Sequence, residues 1–292
     1  MNKKSKKILY LIISILIVYF YNTFIEENLN TSYSNSLTTD LKILFFDVGQ
    51  ADSIFISNNN YNMLIDAGNN EDGPKLVEYI SDILKVKKID YLVGTHPHED
   101  HIGGLDDIIK NFDIWIVMLP EAITTTKTFE DVISAIEKKD VPIYVPKTEE
   151  KFELGEANFE VIHIGTDEED LNNSSIVLKM IFGEFSYLFT GDATSETEKI
   201  MLNKNIDVDV LKVAHHGSAY STSSDFLKKV TPKYAIISVA KENSYGHPAS
   251  STLKRLKKYT KKIYLTSQSG TIFLTSDGKK INITSIKTDT NG

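Results

Sequence analysis

From Leu41 onward the chain alternates between short apolar runs and amphipathic ones. LKILFFDVG, DSIFIS and YNMLIDAG are β-branched and aromatic runs closed by turn residues, the signature of strands and hairpins. GPKLVEYISDILKVKK places Leu76, Ile80, Ile83 and Leu84 on one face and predicts an amphipathic helix. IDYLVGTH reads as a buried strand, Leu105–Phe112 as a helix, and IWIVMLP, TFEDVISAIEKKD and PIYVP repeat the strand–helix–strand pattern. Three strands follow (NFEVIHIG, SSIVLKMIFG, EFSYLFTG), then helix SETEKIMLNK and strand VDVLKVAHHG. The series closes with helix SSDFLKKV, strand YAIISVA, helix SSTLKRLKKY and strands KIYLTS and GTIFLTS. Strands gathered in two halves, each with its own helices, predict an α/β domain of two sheets packed face to face under helices.

The first 40 residues follow another pattern. NKKSKK carries four lysines, and an apolar run extends from Ile8 to about Ile25. Its roughly 18 residues, at 1.5 Å each, would extend about 27 Å, close to a ~30 Å hydrocarbon core. Lysines on one flank and Glu26 and Glu27 on the other orient the N-terminus toward the cytoplasm. Residues 1–25 therefore read as a basic cytoplasmic flank and a transmembrane signal-anchor, with a cleaved secretory signal as the alternative. Residues 26–40, rich in Asn, Ser and Thr, read as a polar linker, and 41–292 as the domain. Either membrane reading puts that domain outside the cytoplasmic membrane, anchored or secreted.

Composition narrows the chemistry. Of 292 residues, 41% are hydrophobic, enough for a sizeable core, and none is cysteine. Disulfide frameworks, thiol nucleophiles and zinc ribbons are thereby excluded, and any metal must be held by His, Asp and Glu. The formal net charge of −8 does not describe a duplex-coating protein.

Three of the seven histidines fall within six residues, in Thr95-His96-Pro97-His98-Glu99-Asp100-His101, between a strand and a helix. Imidazoles and a carboxylate so concentrated need polar partners, and divalent ions take both ligand types. His96 and His98 can converge on one ion, Asp100 and His101 on a second, with Gly103 and Gly104 allowing close packing behind them. Asp192 in Thr190-Gly191-Asp192 ends an apolar strand and can bridge two ions. Further candidates are His247 in Tyr245-Gly246-His247-Pro248 and the pair His215-His216. Strand alternation with Leu211 and Val213 favours His215 as the one that reaches metal, with His216 as a hydrogen-bonding neighbour. His163 sits in an apolar strand, where a histidine is more often satisfied by core or edge partners, with a role as a further ligand as the alternative. Asp47 and Asp66 are expected to orient ligand imidazoles. Lys212 either touches substrate or is turned away by alternation.

His96-x-His98-x-Asp100-His101 resembles the signature of the metallo-β-lactamase fold. Phe46-Asp47-Val48-Gly49-Gln50-Ala51-Asp52-Ser53, Asn172-Asn173-Ser174-Ser175, Leu211-Lys212-Val213-Ala214-His215-His216-Gly217-Ser218 and Asn243-x-Tyr245-Gly246-His247-Pro248 narrow the resemblance. Together they are similar to the hydrolase domain of the ComEC competence-protein family, over about residues 41–277. The resemblance implies a four-layer αββα metallo-β-lactamase sandwich, here preceded by one N-terminal transmembrane helix. It also implies one or two divalent metal ions, zinc or manganese, held at one edge of the sheets. There are departures from the fold's usual pattern. Asn172 and Asn173 stand where many enzymes of this fold carry a ligand histidine, which leaves the first metal short of a ligand unless His163 or His215 substitutes. Ala51 replaces a common Gly, and Ser267 a common Asp.

These residues support metal-dependent hydrolysis, and the resemblance implies foremost a phosphodiester, with single-stranded DNA or another phosphodiester as substrate. Asp100 is expected to accept a proton or hold the second ion, and His215 or His247 to protonate the leaving oxygen. Hydrolysis of a lactone, thioester or β-lactam, or non-catalytic capture of a nucleic acid or surface polymer, stays open on the same residues. The sequence names no protein partner.

Overall fold

The computed structural model describes residues 41–165, 170–260 and 262–286. The N-terminal flank, the apolar run and the linker lie outside those residues. Among the described residues no helix is long and apolar enough to cross a membrane.

In chain order the elements are β1 (Leu41–Phe45), β2 (Ser53–Asn58), β3 (Tyr61–Ala67), α1 (Gly73–Glu78), β4 (Lys88–Val93), α2 (Glu99–Ile102), α3 (Leu105–Asn111) and β5 (Asp113–Met118). Next come α4 (Lys127–Lys139), β6 (Ile143–Tyr144), β7 (Lys151–Leu154), β8 (Ala157–His163), β9 (Val177–Phe182), β10 (Phe185–Phe189), α5 (Ser195–Met201) and β11 (Val210–Lys212). The last are α6 (Ser224–Val230), β12 (Tyr234–Ile237), α7 (Ser250–Tyr259), β13 (Lys262–Leu265), α8 (Thr266–Ser269), β14 (Thr271–Ser276) and β15 (Ile281–Ile286).

The strands form an eight-stranded sheet, β15-β14-β1-β2-β3-β4-β5-β6, and a seven-stranded one, β13-β12-β11-β10-β9-β8-β7. Each sheet is antiparallel in one part and parallel in another: β3 to β6 run parallel in the first, β10 to β13 in the second. The parallel pairs need crossovers, and helices supply most of them.

Three apolar clusters set the layers. Ile43, Phe45 and Met63 of the first sheet meet Val161, Leu178 and Phe189 of the second in a central core. Side chains on the opposite face of the first sheet, such as Leu64 and Leu92, pack on Leu76, Ile108 and Ile136 of α1, α3 and α4. Leu188 and Leu211 of the second sheet pack on Met201, Leu227 and Leu256 of α5, α6 and α7. The order is therefore helices, sheet, sheet, helices, as alternation along each strand requires.

Besides the short helices α2 and α8, which the sequence pattern does not mark, the elements differ from the sequence expectation in three places. The long helix after Gly73 is α1 followed by a π-helical stretch, Tyr79–Ile83. β7 and β15 carry no apolar run of strand type; KFEL and INITSI are edge strands with one polar or exposed side, so periodicity passes over them.

Candidate metal centre

Loops at the C-terminal ends of β4, β10 and β11 meet at one edge of the two sheets, where a parallel sheet leaves room for a ligand. Behind them the packing is tight: a Cβ on Gly103 would collide with the Asn69 and Asn70 backbone, and one on Gly104 with the Ala67 carbonyl. Glycine at both positions lets α2 and α3 press on the loop after β3.

Asp66, at the end of β3, accepts from the Thr95 backbone N–H and hydroxyl, both at 2.8 Å, and lies 2.8 Å from His101 Nδ1. A proton shared there leaves His101 Nε2 as the inward-facing atom. Nε2 lies 3.3 Å from Asp192 Oδ1 and 3.8 Å from Asp100 Oδ2. His216 repeats the device from the other sheet: its Nδ1 lies 3.0 Å from the Ser238 carbonyl oxygen, and its Nε2 faces Asp100 Oδ2 at 3.3 Å and Asp192 Oδ2 at 3.7 Å. Ligand atoms of Asp100, His101, Asp192 and His216 all lie within 4.8 Å of one another. Beside them, His96 Nε2 and His98 Nδ1 lie 3.1 Å apart.

Electrostatics follow from this crowding. Burial would raise the Asp192 pKa, but His101, His216 and His215 together hold it well below the carboxylate range. Burial opposes charge on His101, yet Asp192, Asp66 and Asp100 raise its pKa well above that of a free imidazole. His216 is raised the same way, against burial, by Asp192, Asp100 and Asp52. His96 is pushed well down by burial and by neighbouring His101, which keeps it neutral.

His101 Nε2 and Asp192 Oδ1 are buried without a hydrogen-bond partner, as is Asn172 Oδ1. Histidine nitrogen and carboxylate oxygen brought together without a well-formed hydrogen bond between them are ligand atoms that a divalent cation satisfies, so the residues present fit one. The cluster opens onto a cleft of about 320 Å³ lined by Gln50, His98, Asp100, Asn172, Asp192 and His247, among others. His247 and His215 stand at its mouth, their ring centroids 5.6 Å apart. Asn243 clamps the His247 loop by accepting from the His247 N–H and donating to its carbonyl.

Two expectations need correction, for the histidine pair and for Asp47, and the open readings of Lys212, His163 and Asn173 acquire a geometry. The pair after β11 does not alternate: the strand ends at Lys212, and His215 and His216 both turn at φ near +51°. That turn buries His216 against Asp100 and Asp192 and leaves His215 partly exposed, its Nε2 3.7 Å from Asp192 Oδ2. Lys212 faces neither cleft nor solvent; its Nζ forms a buried ion pair with Asp52 at 2.7 Å. Asp47 is exposed beyond β1, with its carboxylate on the Gly49 N–H rather than on an imidazole. His163 bonds the Asn173 backbone and lines a different cavity, with Glu196 and Ile200. The Asn173 side chain is occupied by the Thr194 and Thr197 hydroxyls, which leaves Asn172 as the amide at the cleft. Sequence reasoning gave no role to Asp52, whose Oδ1 lies 3.7 Å from His216 Nδ1, or to Gln50, 3.5 Å from His247 Nδ1. An acidic residue inside the apolar stretch Ala51–Ile56 was the available signal for the first.

A family model described as the metallo-beta-lactamase superfamily matches residues 46–241. ComE operon protein 3 of Bacillus subtilis is 31% identical over 256 residues, 81% of this chain and 33% of that protein. Competence protein ComA of Neisseria gonorrhoeae is 26% identical over 236 residues, 79% of this chain and 31% of that protein. The chain thus spans about a third of the length of these curated relatives. Among solved structures, CmlA, a diiron beta-hydroxylase from Streptomyces venezuelae, matches 78% of this chain and 53% of its own, with a TM-score of 0.51 at 15% identity, a likeness of fold.

Proposed function

The chain belongs to the metallo-beta-lactamase superfamily, and on that footing we propose that it is a metal-dependent phosphodiesterase acting on nucleic acid outside the cytoplasmic membrane. The observation that carries the reading is the convergence of His101 Nε2 and His216 Nε2 on Asp100 and Asp192 at the floor of an open cleft. Likeness to competence proteins over about four-fifths of the chain supports a nucleic-acid substrate. The lysine-flanked apolar run in residues 2–25 supports an anchored, exported domain.

Asp100, His101, Asp192 and His216 would hold one divalent ion, and His96 and His98, with Asn172, a second. When bound, such an ion supplies Lewis-acid chemistry and offsets charge on the attacked phosphorus centre. Asp66 and Ser238 keep the two inner imidazoles in one tautomer and orientation. Asp100 is the more exposed of the two inner carboxylates and borders the cleft, so it either holds the ion or accepts a proton there. His215, at the mouth, or His247 beside it would protonate the leaving oxygen, and Gln50 steadies the His247 ring.

The test is turnover by the full chain with added zinc or manganese on bis-p-nitrophenyl phosphate, single-stranded DNA and duplex DNA. Hydrolysis lost in Asp192→Ala is the expected result. Opening of a lactone or nitrocefin with the diesters untouched would move the assignment to acyl hydrolysis.

A further inference from the structure

Charge is not spread evenly over this acidic protein. Residues 41–223 hold 15 Lys and Arg against 33 Asp and Glu, whereas residues 224–280 hold 12 against three. Such segregation creates a local positive field within a negative molecule and marks a surface for a polyanion.

The fold gathers much of that charge on one face. α6 and α7 pack together, with Tyr259 Oη donating to the Ser224 carbonyl at 3.2 Å. Leu256 of α7 is buried and Leu253 packs inward, so the helix turns its lysines outward. Lys228, Lys229, Lys254, Lys257 and Lys258 are all exposed, and none makes an ion pair among the described residues. Arg255 instead donates to the Thr222 and Ser221 carbonyls at 2.9 Å and pins α7 to the loop after the histidine pair.

This face is continuous with the cleft. The Ala249 N–H donates to the Gly217 carbonyl at 2.9 Å, and Thr252 Oγ1 to the Ser218 carbonyl at 2.7 Å. The first turn of α7 thus rests on the turn that carries His215 and His216. Its ten residues lead about 15 Å away from the cleft. At the mouth, five residues before α7, Tyr245 is 71% exposed and its ring stacks on His247 at 5.7 Å and 23°.

We propose that the α6–α7 face is a docking track for single-stranded nucleic acid: phosphates lie along Lys254, Lys257 and Lys258, and a base at the cleft mouth stacks on Tyr245. The track deepens the phosphodiesterase reading and rests on it for the identity of the polymer. A basic groove beside an aromatic platform is how single strands are held without base readout. An anionic lipid surface fits less well, because the apolar side of α7 is spent on the core and none is left to enter a bilayer.

The test is fluorescence anisotropy of the full chain with a labelled oligothymidylate of about 20 nucleotides, in EDTA so that no cleavage occurs, across a salt series. Lys254→Glu/Lys257→Glu/Lys258→Glu is compared with Lys75→Glu/Lys87→Glu/Lys138→Glu, an equal charge reversal on the acidic part, and thermal melts check folding. The track predicts at least about a tenfold loss of affinity in the first triple, and a log K against log salt slope shallower by about 2. Tyr245→Ala, which removes no charge, is expected to lose about tenfold with the slope unchanged. Equal affinity in the two triples would overturn the proposal, as would binding to phosphatidylglycerol vesicles with none to the oligonucleotide. Wild-type binding that depends on this face, without hydrolysis of any diester, would remove the hydrolytic reading and leave the track standing.

Discussion

Asp192 and Glu198 are six residues apart, both nearly inaccessible, and are held in opposite ways. Glu198, on α5, accepts from the backbone N–H groups of Thr222 and Ser223, so its charge caps the loop before α6. Asp192, on the loop before α5, has no backbone donor on Oδ1, which instead faces His101 Nε2 at 3.3 Å without a well-formed hydrogen bond. Burial raises the Glu198 pKa, offset only in part by Ser223 and Thr222, whereas at Asp192 three histidines reverse the effect of burial. Burial of a carboxylate therefore does not mark a functional site. An oxygen left unsatisfied among other ligand atoms does.

The largest effect that would sharpen this contrast is on turnover. Asp192→Ala is expected to cost more than about 100-fold in diester hydrolysis, above the usual cost of losing an outer partner of a metal ligand. Glu198→Ala should keep its activity per folded molecule. Next comes the buried pair behind His216: Lys212→Met removes the cation that lies 2.7 Å from buried Asp52 and leaves it only His216 at 3.7 Å, and urea unfolding should show a loss of about 3–5 kcal/mol. Adding Asp52→Leu should recover much of it. Glu198→Ala follows, at about 1–3 kcal/mol by the same measurement, because two backbone donors lose their acceptor.

The smallest effect is on pH. Asp192, lowered, contributes stability above pH 3.8 that is lost as pH falls through its folded value. His101 and His216, raised, contribute fully below pH 6.5 and lose that contribution as pH rises through theirs. For these groups, chelator-treated protein should melt highest between pH 3.8 and 6.5 and lose stability above it. Cation affinity should run the other way and rise with pH, since ligand imidazoles must be neutral. A melting temperature that climbs steadily to about pH 8 without metal would break the account of the cluster.

Much of the fold is legible along the chain because period-two runs and amphipathic helices are long enough to stand out. The motif His96–His101 is legible for a local reason: strand, turn and helix follow one another so closely that its side chains have few directions to take. The second histidine pair was not, because alternation holds only while the strand lasts, and it stops at Lys212. Asp52 is not legible in sequence because its partners, Lys212 and His216, are far along the chain and join it only when the sheets pack. Asp47 and Asp66 each follow an apolar strand in sequence, yet only Asp66 faces an imidazole. Which carboxylate meets the cluster is set by sheet order rather than by local pattern.

The central claim is that the edge of the two sheets is built around a divalent cation. Metal analysis of the full chain after equilibration with zinc or manganese and removal of unbound ion tests it most directly. At least one ion per chain, retained in Glu198→Ala and lost in His101→Ala and Asp192→Ala, is the expected result. No bound ion in the wild type, or equal content in all four proteins, would contradict it.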